Sequence, residues 1–101
     1  MMSKNPLDYP KDKKFTREEL IEAIRYSIIA ELDAINLYLQ FARAIEDEKC
    51  RKVFEDIAKE EKTHVGELLS LLKILDKEQM EELKRGRKEV IELTGIESIP
   101  E

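Results

Sequence analysis

One feature constrains this chain above all others: a long amphipathic segment that is apolar on more than one side. Between residues 16 and 46, Leu20, Ile24, Ile28, Ile35, Ala42 and Ile45 recur at steps of three, four or seven, the spacing of one helical face. A second stripe, Ile21, Ile29, Leu32 and Leu39, follows beside it. A helix with two apolar stripes must be covered on more sides than a 101-residue chain can supply. The reading is therefore an all-α protein that completes itself by association.

The boundaries of the elements are marked by capping chemistry. Thr16-Arg17-Glu18-Glu19 is a capping box and opens the first helix, which runs to about Glu46. Asp47 is the N-cap of a second helix from Glu48 to about Leu75. Asp76-Lys77-Glu78-Gln79 reads as another capping box and starts a shorter third helix to about Leu93, with a weak apolar face of Met80, Leu83, Val90 and Ile91. Gly95 suits the residue after that helix, where positive φ is cheap. Residues 1–15 read as an extended arm, 16–95 as one helical domain and 96–101 as a tail or linker. Gly66 and Gly86 lower helix propensity and read as permitting close helix approach or as merely tolerated.

Composition excludes several classes. The net charge of -5 argues against a nucleic-acid surface. A single cysteine, Cys50, forbids an internal disulfide framework or a thiolate cluster within one chain, and it reads as a small buried hydrophobe. No apolar run reaches membrane-spanning length, and the first residues lack the apolar core of a signal peptide, so the expected location is cytoplasmic. Charged residues at 41% suit a solvated helical surface rich in ion pairs.

Three polar residues stand where apolar ones belong. Ile24, Glu31, Tyr38 and Ile45 are spaced by seven, so Glu31 lies on the inner stripe of the first helix. The inner stripe of the second helix reads Cys50, Phe54, Ile57, Glu61, His64, Leu68, Leu71 and Leu75. Glu61-Lys62-Thr63-His64 is a Glu-x-x-His motif, which sets both side chains on one face a turn apart. Inward carboxylates are costly unless they share a partner, and a cation satisfies all three groups. Residues level with one another in an antiparallel hairpin lie equidistant from its turn. Glu31 is level with Glu61 for a turn centred on residue 46, and with His64 for one centred between 47 and 48. The turn chosen from the capping pattern, at Glu46 and Asp47, agrees with both.

A dinuclear carboxylate site in a four-helix bundle uses four carboxylates and two histidines. This chain supplies Glu31, Glu61 and His64, and it has one histidine in all. It carries half a site. Two hairpins related by a twofold axis would rebuild both the bundle and the ligand set. Carboxylate and imidazole ligands suit iron or manganese, and four carboxylates are too many for a closed zinc tetrahedron.

The segment Ala30-Glu31-Leu32-Asp33-Ala34-Ile35-Asn36-Leu37-Tyr38, with Glu61-Lys62-Thr63-His64, closely resembles the encapsulated ferritins, two-helix ferritin-like proteins housed in encapsulin nanocompartments. The likeness covers roughly residues 16–95 and is strongest to the archaeal form fused ahead of the shell protein. It implies a ferroxidase with Glu31, Glu61 and His64 as catalytic and metal-binding residues from both chains of a homodimer. It further implies a di-iron (Fe2+/Fe3+) centre, a ring-shaped decamer of five dimers, and an encapsulin shell protein that receives the oxidised iron. Asp33 matches an acidic position of the family proposed as a secondary metal site, and Tyr38 matches an aromatic beside the iron centre. Ala30 departs from the acidic residue often found there. No shell-targeting peptide ends the sequence, which fits a shell fusion or a protein that is never encapsulated. The competing readings are a rubrerythrin-like peroxide reductase or manganese oxidase on the same residues, and a helical oligomerisation module without catalysis.

Overall fold

The computed structural model describes residues 12–101. The reading of residues 1–11 as an arm falls outside it. Three helices follow in order: α1, Arg17–Ala44; α2, Glu48–Leu75; and α3, Lys77–Thr94. No strand is present among the described residues.

Each helix begins where its capping residue can accept from otherwise unpaired backbone donors. The Thr16 hydroxyl accepts from the Glu19 N–H, and the Glu19 carboxylate accepts from the Thr16 N–H, so the first capping box is complete. The Asp47 carboxylate accepts from the Cys50 N–H at 3.0 Å and starts α2. Only half of the expected box at Asp76 forms. Its carboxylate accepts from the Gln79 N–H, but its own N–H already donates to Leu72 O, continuing the ladder of α2. Gln79 has no donor there to meet and instead accepts from Arg25 on α1. Asp76 thus closes α2 and opens α3 within a single residue. Gly95 ends α3 at φ 73°, in the left-handed region, as its position suggests.

α1 and α2 pack as an antiparallel hairpin around Ile24 and Ala42 of α1 and Ala58 and Leu72 of α2, which are the buried apolar residues. The first stripe of α1 therefore faces α2 as expected. The stripe of α2 differs from expectation. Its most buried positions are Ala58 and Leu72, one residue on from Ile57 and Leu71, and Leu71 is 48% exposed. Cys50, read as a buried hydrophobe, is also exposed. The apolar face of α2 is wider than one helix contact, and α1 covers only one of its edges. The other edge, Val53, Ile57, Leu68 and Leu71, shares the face of His64 at steps of three, four and seven.

α3 packs against α2, buries none of its residues and leaves the hairpin sideways. A 28-residue helix is about 42 Å long, and the molecule measures 50 × 45 × 22 Å, so its second dimension is the reach of α3. Arg17 and Arg25, two turns apart on α1, grip the α2–α3 corner. Arg17 donates to Leu75 O at 2.6 Å, and Arg25 forms an ion pair with Asp76. A β-carbon placed on Gly66 or Gly86 would meet nothing within 4 Å, so neither glycine serves close approach within this chain.

Candidate metal centre

The turn between α1 and α2 puts Glu31 and the Glu61–His64 motif at one height. Their ligand atoms all lie within 4.8 Å of one another, and among the described residues they are the single cluster of this kind. His64 Nδ1 stands 3.5 Å from a Glu31 Oε2 and 3.4 Å from a Glu61 Oε2. The three predicted ligands therefore converge across two helices, with Glu61 and His64 one turn apart on α2.

Their surroundings differ. Glu31 and Glu61 are half-buried, whereas the His64 side chain is 47% exposed. Glu31 Oε2 is shielded from water and accepts no hydrogen bond, the one such side-chain atom among the described residues. The contact with His64 Nδ1, at 3.5 Å, is too long to count as one. A carboxylate oxygen turned inward without a donor is destabilising, by about 1–3 kcal/mol for an unsatisfied buried group. Such an oxygen, beside a second carboxylate and an imidazole nitrogen, makes an electron-rich cradle suited to a cation.

The cradle is open on the side where His64 lies. On α2, Val53 (57% exposed) and Leu71 lie on the same face as the histidine, about three and two turns away. On the matching edge of α1, Leu37 and Phe41 are exposed. A cation held by these three donors would be incompletely enclosed by this chain alone. Sequence spacing places Leu71 on an apolar stripe but does not single out Val53, Leu37 or Phe41.

Tyr38 lies one heptad from Glu31, half-buried, with its ring centroid 5.9 Å from that of Phe54, and Phe41 meets the same Phe54 ring edge-on. Tyr38 thus belongs to a ring cluster between the cradle and the turn. Asp33 is exposed and outside the cluster, since two residues beyond Glu31 a helix has turned to another face.

A helical hairpin presenting one Glu from one helix and Glu-x-x-His from the other defines a ferritin-like protein of half-bundle form. Residues 22–99 match the rubrerythrin family. The chain is 59% identical over 98 residues to a ferritin-like-encapsulin shell fusion protein of Pyrococcus furiosus, an alignment covering 97% of this chain and 28% of that one. It is 36% identical over 86 residues to the encapsulin nanocompartment cargo protein EncC of Myxococcus xanthus, covering 85% of this chain and 66% of that one. The crystal structure of the encapsulated ferritin domain from Pyrococcus furiosus matches with a TM-score of 0.84 at 58% identity, over 97% of this chain and 100% of that one. The chain belongs to the rubrerythrin family and, within it, to the encapsulated ferritins. It spans less than two thirds of the length of the curated relatives it matches.

Proposed function

We propose that two copies of this chain join through the face that carries His64, pool Glu31, Glu61 and His64 from each, and oxidise Fe2+ to Fe3+ with dioxygen. The observation that carries this reading is the water-shielded Glu31 oxygen without a donor, grouped with Glu61 and His64 at the rim of an uncovered apolar face. Iron is the substrate. Dioxygen takes one electron from each of two Fe2+ ions together with two protons, giving Fe3+ and hydrogen peroxide.

The residues contribute in distinct ways. Glu31 and Glu61 supply the negative charge that offsets the cations, and the orphaned Glu31 oxygen gains the partner it lacks. His64 turns Nδ1 toward both carboxylates and is aligned to complete the donor set. A twofold pair doubles three donors to six, the number a dinuclear carboxylate site requires. Tyr38, against Phe54, closes the hairpin interior between the cradle and the turn. Holding two donors of one electron side by side removes the need for two separate encounters with the oxidant.

Two relatives named for encapsulin support delivery of oxidised iron to mineral inside an encapsulin shell. A ring of five pairs, the assembly that the family resemblance implies, finds support in apolar residues left exposed away from the His64 face, Ile29 and Leu32 of α1 and Leu93 of α3. The rubrerythrin match also favours a second reading, reduction of hydrogen peroxide at the same residues.

Stopped-flow absorbance after mixing Fe2+ with dissolved dioxygen tests the first reading. Glu31→Ala and His64→Ala are expected to lower the oxidation rate by about two orders of magnitude or more, the effect of losing an interaction worth roughly 3 kcal/mol in the transition state. Native rates in both variants would exclude the site. Turnover with hydrogen peroxide but not dioxygen would select the second reading.

A further inference from the structure

We propose that Arg25 is an angular clasp: it sets the direction in which α3 leaves the hairpin. The argument begins at the α2–α3 junction. One residue, Asp76, separates the two helices, so its φ of -124° and ψ of 93° are the pivot. Its backbone N–H is tied to Leu72 O and travels with α2. Its carboxylate, which accepts from the Gln79 N–H, travels with α3. The first of these bonds leaves rotation about φ free, and the second restrains ψ through one cap bond alone.

Arg25 spans the joint. Its Nη2 donates to Asp76 Oδ2, and its Nε donates to Gln79 Oε1 at 3.4 Å. Both acceptors belong to the cap and first turn of α3, whereas Arg25 belongs to α1. A planar guanidinium held at two points restrains orientation as well as distance. Arg17 does something different. It donates to Leu75 O, the last residue of α2, and so joins α1 to α2 without reaching α3. Apolar packing restrains α3 near its start, where Met80 and Leu83 are half-buried, but no α3 residue is buried and Leu93 is 85% exposed. The clasp therefore decides where the exposed Val90 and Leu93 are presented. A swing of about 20° at Asp76 would move residue 88, about 18 Å along the helix, by roughly 6 Å.

The experiment is a pulsed-EPR distance measurement between spin labels at Asn36→Cys on α1 and Lys88→Cys on α3. Both are exposed, and Cys50→Ala removes the native thiol. Labelled chain is diluted into unlabelled chain so that only distances within one copy are read. The clasp predicts one narrow distance in the parent. Arg25→Ala broadens the distribution and moves its mean by several ångström, Arg25→Lys gives an intermediate width, and Arg17→Ala leaves it narrow. Asp76→Asn keeps an N-cap while removing the ion-pair charge, and it broadens the distribution even if Arg25→Ala does not fold. Far-UV circular dichroism confirms that helix content is retained. Distributions for Arg25→Ala or Asp76→Asn that superimpose on the parent would overturn the proposal, and so would equal broadening by Arg17→Ala.

Discussion

Replacing Glu31 by leucine separates the stability of the chain from its chemistry. Without metal, Glu31 Oε2 is shielded and unsatisfied, which costs about 1–3 kcal/mol. The opposing term is attraction to His64, whose side chain is 47% exposed, with the charges 3.5 Å apart when the imidazole is protonated. Solvent screening limits that attraction to about 0–1 kcal/mol. Leucine also adds apolar burial between Ile24 and Tyr38, the heptad neighbours of Glu31. The unsatisfied oxygen outweighs the ion pair, so Glu31→Leu is expected to stabilise the metal-free protein by about 1–2 kcal/mol. For a domain of this size that raises Tm by roughly 4–15 °C. The assay is a thermal melt followed by circular dichroism in excess chelator, at one fixed protein concentration because association contributes to Tm. Added Mn2+, which dioxygen does not readily oxidise, should raise the Tm of the parent and leave the variant unmoved. A variant that melts below the parent in chelator would refute the reasoning, because the carboxylate would then be a satisfied structural group.

Three further outcomes follow from local geometry. The backbone N–H of Cys50, donating to Asp47, holds that carboxyl below its ordinary pKa of 3.8. A group depressed in the folded state contributes stability that is present above the unfolded pKa and is lost as pH falls through the folded one. Asp47→Asn should therefore flatten the fall in Tm below about pH 4 while keeping a capped α2, as melts across that range would register. The glycines should respond in opposite directions: Gly66→Ala, inside α2 with open space around it, should gain about 1 kcal/mol, and Gly95→Ala, at φ 73°, should lose about 1–2 kcal/mol. Denaturant midpoints would show both, and a destabilising Gly66→Ala would mean that a second copy packs against that position.

Much of the centre was legible before any coordinates. Glu61 and His64 share a face because three residues make nearly one helical turn, and Glu31 is level with them because capping residues placed the turn. These are local rules of spacing and hydrogen bonding, so sequence alone determined which residues meet and that the chain brings a single histidine to them. Periodicity also gave α2 its apolar face, but a period does not say which edge of a broad face meets a neighbour. Packing decided that Ala58 and Leu72 are buried while Cys50 and Leu71 are exposed. The Asp76 box failed for a similar reason. Its N–H is taken by the end of α2, and Arg25, fifty-four positions before Gln79, claims that side chain. Contacts between distant segments depend on how the helices lie against each other, so only the tertiary structure could reveal the water-shielded Glu31 oxygen, the exposed edge beside His64 and the arginine that spans the α2–α3 joint.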